Sequence, residues 1–292
     1  MKHRSYKDTE KAAKKVLVRV GGAASMGGAA SDSADSAART AAAIRDDEVL
    51  DCLRRLPFSE NRLRRNVIPD DARHVYSQCA GLTVARRTQL LGPTKSKIAA
   101  KCPNLVRVLS LYCRQAEHRA EQGAAPLGGG GVGGGGEHDA DTSGLRFLGG
   151  RFAFTSITLN FNYAAKPHVD SSHVDGLARI IALGSFSGGE LTVSGMGKLD
   201  VRHRWIDFDG RTLHQVEPFE GERYSLVYFA HEAALAPEPK DGGALRRELE
   251  AMAMRWPTHE RLAQSRRRML CTTAAFALLS AACSRLPLPR LR

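Results

Sequence analysis

Residues 128–136 read GGGGVGGGG, nine positions in which Val132 is the one side chain with any apolar surface. Such a run has too much backbone freedom to hold one conformation and nothing to bury, so residues 123–143 are expected to form a flexible linker. The 292-residue chain is thereby cut in two, and a second poor stretch lies upstream. Residues 21–43 are almost wholly Gly, Ala, Ser and Asp, and residues 1–44 are read as a disordered, low-complexity N-terminus. Between the two, residues 45–122 read as a helical region: Val49, Leu53 and Leu56 fall at helical spacing, as do Leu105, Val108, Leu109 and Leu111.

Past the linker the period changes from helical to alternating. From Phe152 to Tyr163, Ile157, Leu159, Phe161 and Tyr163 fall on one side, with Ser156, Thr158, Asn160 and Asn162 on the other. Short strands follow at 178–183, 190–193, 205–208, 212–216 and 224–229, the first two separated by the glycine-rich 184–189. Many short strands with turn signals between them suggest a sandwich or barrel over residues 144–232. Residues 233–292 read as a helical, basic tail, with an amphipathic helix over 242–256. The fold class expected is therefore α+β, with helices flanking a β core.

Charge follows the same boundaries. The formal net charge is +12, made of +7 in residues 1–143, −1 in 144–232 and +6 in 233–292. The β segment is not a basic surface; the flanks are, and they suit a partner carrying phosphates. Six cysteines form no CxxC pair, so neither a zinc ribbon nor a disulfide-stapled secreted scaffold is indicated. Gly188 and Gly189 precede no helix pattern with Lys-Ser/Thr and are not a phosphate cradle. No secretory signal is seen at the N-terminus, which points to an intracellular protein, nuclear or cytoplasmic, with organelle import left open. The apolar run 269–283, behind Arg266, Arg267 and Arg268, is shorter than the ~20 residues of a bilayer span. It reads as a buried or interfacial helix, and a membrane partner is not expected.

Five of the ten histidines lie between 144 and 231, and two texts carry the chemistry: Lys166-Pro-His-Val-Asp-Ser-Ser-His-Val-Asp-Gly176 and Phe208-Asp-Gly-Arg-Thr-Leu-His214. In a strand, residues i and i+2 share a face, so His168 and Asp170 can offer an imidazole and a carboxylate to one ion. His214, brought alongside by strand pairing, would be the third ligand. Two histidines and a carboxylate with open positions opposite is the donor set of non-haem Fe(II). His173 and Asp175 repeat the pattern and stand as a second candidate pair. The first is favoured because a strand leads into it, whereas 171–176 reads as a polar connection. The second pair would then line the substrate entrance or face water, and His203 and His231 are read as surface or strand-end histidines.

With His168-Val-Asp170, the distal His214, and Arg223 nine residues later in an Arg-x-Ser setting, the stretch from Phe152 to Phe229 resembles the double-stranded β-helix (jelly-roll) core of the Fe(II)/2-oxoglutarate-dependent dioxygenases. The phrasing ITLNFNY…PHVD…IIALGSFSGGEL…FDG…H…PFEGERYSLVYF is most similar to the TET/JBP-like branch, whose members oxidise methylated pyrimidines in nucleic acid. The resemblance covers under a third of the chain. It implies Fe(II) on His168, Asp170 and His214, with 2-oxoglutarate and O2 as co-substrates and ascorbate as reductant. It also implies that Arg223 and Ser225 bind the far carboxylate of 2-oxoglutarate. Of Asn160, Asn162 and Tyr163, which stand just before the His-Val-Asp, one is expected to hydrogen-bond that co-substrate as well, Asn160 being the residue chosen, with a turn-facing or structural role as the other reading. Hydroxylation of a methylated base held by the basic flanks is the activity implied. A prolyl-hydroxylase-like protein hydroxylase and a non-catalytic, cupin-like binding module are its rivals.

Overall fold

The computed structural model describes residues 4–21, 42–84, 93–121, 151–236 and 243–265. The linker 123–143, most of the low-complexity N-terminus and the apolar run 269–283 lie outside the described residues.

Within residues 1–44 the structure departs from the expectation of disorder. Helix α1 (Tyr6–Arg19) starts on Ser5, whose Oγ accepts a hydrogen bond from Asp8 N at 3.0 Å, and it buries Thr9, Ala13, Val16 and Leu17. That spacing puts the small and apolar residues on one stripe while the lysines face solvent, so a highly charged segment still has a face to bury. Helix α2 (Asp46–Arg55) follows, then strands β1 (Glu60–Asn61), β2 (Val75–Val84) and β3 (Pro93–Lys95), helices α3 (Lys97–Lys101) and α4 (Pro103–Glu121). The region 45–122 is therefore not helical throughout: the ten-residue β2 runs through it, with β-branched and aromatic residues at Val75, Tyr76, Thr83 and Val84. Pro103 opens α4, where a missing N–H costs nothing, and the Glu10 carboxylate of α1 accepts the next two backbone N–H groups, of Asn104 and Leu105.

The β segment supplies β4 (Ser156–Phe161), β5 (His173–Gly188), β6 (Leu191–Val193), β7 (Gly197–Leu199), β8 (Ile206–Asp209), β9 (His214–Val216) and β10 (Phe219–His231), and α5 (Ala244–Ala251) follows. A seven-stranded sheet runs β1-β2-β4-β10-β5-β8, with β3 on β2, and a three-stranded sheet runs β7-β6-β9. Every ladder between named strands is antiparallel. The fold is thus mostly antiparallel sheet with helices.

Alternation divides the large sheet into two working faces. Ile157, Leu159, Ile181, Leu183, Tyr224, Leu226 and Tyr228 pack with the helical residues Leu53, Leu105, Val108 and Leu109 in the main core. Arg4 and Arg54 tie the same region down, reaching the Tyr224 hydroxyl and the Glu222 carboxylate. On the opposite face Ala178, Ile180, Ala182 and Phe186 meet Leu191, Val193, Leu199 and Val201 of the small sheet in a second core. Register also aligns Ser77, Asn160 and Ser225 across β2, β4 and β10 in one polar row on that face.

The glycine-rich stretch separates β5 from β6 only at its end: β5 continues to Gly188, and Gly188 and Gly189, with φ of +73° and +76°, make the turn before β6. Gly184 has φ +126°, and a Cβ there would meet the Glu222 carbonyl oxygen at 2.1 Å, so its glycine serves close strand approach rather than a turn.

Candidate metal centre and anion pocket

The residues 165–170 lie antiparallel to 210–216. His168 N donates to His214 O at 2.9 Å, His214 N returns the bond to His168 O at 3.0 Å, and Asp170 N donates to Gly210 O at 2.7 Å. This pairing puts His168, Asp170 and His214 on one side, with a ligand atom from each lying within 4.8 Å of the others. The two imidazole centroids are 4.2 Å apart.

Second contacts decide which nitrogens face inward. His168 Nδ1 is 2.8 Å from the Lys166 carbonyl and His214 Nδ1 is 2.8 Å from the Thr212 carbonyl. A carbonyl only accepts, so each Nδ1 carries the hydrogen and each Nε2 presents a lone pair. Nε2 of His168 is 4.0 Å, and Nε2 of His214 3.7 Å, from the Asp170 carboxylate. Burial, followed by the neighbouring His214, pushes the His168 pKa down and keeps that ring neutral. Nε2 of each ring and the Asp170 carboxylate thus converge as electron-pair donors. The donor set therefore fits a divalent ion of the Fe(II) type.

Arg223 and Ser225 lie on the site face of β10. Arg223 is 2% exposed, its Nη2 donates to Gly189 O at 3.2 Å, and its guanidinium lies over the Phe186 and Phe219 rings. Among the described residues no carboxylate pairs with it and its Nε has no hydrogen-bond partner. Burial pushes its pKa down to about 10. The contrast is Arg179, with a side chain 11% exposed, which Asp207 holds by two bonds of 2.6 and 2.8 Å. A buried, unpaired guanidinium is costly to the fold unless an anion arrives.

Asn160 donates from Nδ2 to Ser225 Oγ at 3.1 Å, and its Oδ1 accepts from Ser77 Oγ at 2.8 Å and Tyr163 OH at 2.9 Å. Its side chain thus organises the polar row. Burial pushes the Tyr163 hydroxyl pKa up, and its hydrogen bond to Asn160 ties it into that row.

Sequence reasoning missed Arg64 and Ser77. Arg64 Nη1 donates to Ser77 Oγ at 3.1 Å, and its Nη2 stands 3.7 Å from Asp170 Oδ1. Arg64 sits in Arg62-Leu-Arg-Arg65, where composition shows only charge; its place follows from β2 pairing with β4, which local spacing does not reveal. Of the second candidate pair, His173 is buried at the start of β5, not in a polar connection, and the Asp175 side chain lies outside the described residues. Cys52, Cys102 and Cys113 are free thiols pushed up to about 12 by burial, so none is a ready nucleophile.

His203 pairs with Asp46 at 2.6 Å, and His231 ends β10, its Nδ1 accepting from Ala233 N at 3.0 Å. Burial, then the nearby His173, pushes the His231 pKa down to about 4. The unfolded ring titrates near ~6.5, so stability is full above that value and falls as pH drops towards 4, by at most about 1.4 kcal/mol per unit and less where solvent reaches the ring. Replacing His231 by Asn keeps a capping acceptor without the titration. Denaturant midpoints at pH 7 and pH 5 are expected to converge in that variant relative to the parent.

No family model matches the sequence, and no curated protein does. Among solved structures, the chain is similar to NgTET1 in complex with 5mC DNA, at 16% identity and a TM-score of 0.33, over 54% of this chain and 61% of that one. It is similar to a 2OG-Fe(II) oxygenase family oxidoreductase from Burkholderia pseudomallei, at 18% identity and 0.37, over 70% and 94%. A third is a prolyl hydroxylase in complex with a hypoxia inducible factor peptide fragment, from Trichoplax adhaerens, at 15% identity and 0.33, over 79% and 95%. Likeness at this level carries no chemistry of its own; the side chains must. Among the described residues no helix is long and apolar enough to cross a membrane.

Proposed function

We propose that the chain is an Fe(II)/2-oxoglutarate-dependent dioxygenase with a double-stranded β-helix core, hydroxylating a C–H bond of a methylated base in nucleic acid. The observation that carries this reading is the buried Arg223 guanidinium without a carboxylate, on the same face as three metal-donor side chains that converge as electron-pair donors. His168, Asp170 and His214 would hold the ion. Fe(II), with 2-oxoglutarate and O2, supplies an oxidant that places hydroxyl on a substrate carbon while 2-oxoglutarate leaves as succinate and CO2. Arg223, buried from water, would offer the far carboxylate a forked pair of donors, and Ser225 would add a hydroxyl. The Nδ1–carbonyl contacts keep both imidazoles oriented as the site loads. The basic flanks support nucleic acid as the substrate: they would grip phosphates while one base is flipped into the pocket.

The test is succinate release from 2-oxoglutarate with Fe(II) and ascorbate, comparing 5-methylcytosine DNA, unmodified DNA and a prolyl peptide. Stimulation by the methylated DNA alone, with one oxygen gained by the base, is the expected result. Stimulation by the peptide would replace the substrate and keep the reaction. Metal bound without succinate under any condition would leave a binding module.

A further inference from the structure

Four nitrogen groups ring the Asp170 carboxylate: His173 Nε2 at 3.5 Å, Arg64 Nη2 and His214 Nε2 at 3.7 Å, and His168 Nε2 at 4.0 Å. The two triad imidazoles give their hydrogens to backbone carbonyls through Nδ1 and face the carboxylate with lone pairs. His173 and Arg64 are the two able to give it a hydrogen. His173 is the nearer and the deeper, with a side chain 3% exposed against 30% for Arg64, so its contact is screened less.

The surroundings hold that ring in place. It stacks on Phe229 at 4.2 Å and 23°. It also lies over Gly210, where a Cβ would come within 2.7 Å of His173 Nδ1 and 3.4 Å of Asp170 Cβ. The Gly210 carbonyl is the one that takes the Asp170 N–H, so a single glycine sets both the carboxylate's backbone and the imidazole's floor. We propose that His173 is a positioning residue that orients the Asp170 carboxylate for the metal and is not itself a ligand. The second His-Val-Asp thus lends its imidazole to the carboxylate of the first. This rests on the metal-centre reading above.

Mn(II) binding to the full chain, measured by calorimetry, tests it in the parent, His173→Phe and His173→Gln. Phe keeps the packing on Phe229 and loses the donor, whereas Gln restores an N–H at similar reach. The expected result is a 10–100-fold weaker Kd for His173→Phe, the usual cost of losing an outer partner, with recovery in His173→Gln and unchanged melting temperatures. Pulsed EPR of the Cu(II)-loaded chain is expected to count two coordinated imidazoles in all three. A parent-like Kd in His173→Phe would reduce the residue to packing, and three imidazoles falling to two would make it a ligand; either overturns the proposal. A parent chain that binds neither ion would sink the metal centre itself. If His173→Phe does not fold, Gly210→Ala, which displaces the ring without removing it, is expected to weaken Mn(II), and an unchanged Kd there overturns the proposal equally.

Discussion

Arg223→Met is expected to melt a few degrees higher than the parent while losing 2-oxoglutarate. The two effects have one cause. The guanidinium is 2% exposed, bonded to Gly189 O, set over the Phe186 and Phe219 rings and without a carboxylate in ion-pair contact among the described residues, so the fold bears a poorly compensated charge. An apolar side chain of similar length removes that cost. It also removes the forked donor for the co-substrate's far carboxylate. Truncating one partner of a buried charge pair costs about 2–5 kcal/mol, or roughly 30-fold to several thousand-fold in affinity. Calorimetry with 2-oxoglutarate reads that loss, and Mn(II) affinity is expected to stay at the parent value. Arg179→Met is the internal control: its partner Asp207 would be stranded, so that variant is expected to melt lower. A parent-like affinity for 2-oxoglutarate in Arg223→Met would remove the residue from the pocket.

Asp170→Ala carries the second large effect. Asp170 is the sole anion of the converging set, and without it two neutral imidazoles face a divalent ion alone, with the Arg64 cation close by. The loss must exceed what an outer partner costs, so Mn(II) affinity is expected to fall by more than about 100-fold. Retention of parent affinity would move the site to the second pair, His173 and Asp175.

The legible parts of this protein were those whose signal is local. Alternation from Ile157 to Phe161 places Leu159 in the core and Asn160 on the polar face, and the i, i+2 rule puts His168 and Asp170 together; it breaks at Asn162, φ +45°, so Tyr163, read with the apolar side, bonds to Asn160 instead. His214 needed strand pairing, and reciprocal bonds to His168 supply it. What escaped was non-local. Arg64 and Ser77 precede the β segment by some eighty residues and join the site because β2 pairs with β4 in a register that sets Ser77 opposite Asn160. The lysines of α1 hid a buried stripe behind a charged composition, and β2 was passed over between two helical stretches. His173 was read with its polar neighbours Ser171 and Ser172, although it is the first residue of the long β5 and faces inward. Gly184 was taken for a turn because close strand approach and turn formation use the same residue.

The central claim is that a metal centre and an anion pocket act on one co-substrate, and succinate formation tests it most directly. Purified full-length chain supplied with Fe(II), O2 and 2-oxoglutarate is expected to release succinate, and Arg223→Met and Asp170→Ala to release none above background. Fe(II) bound by the parent chain with no succinate formed, with or without methylated DNA, would contradict it.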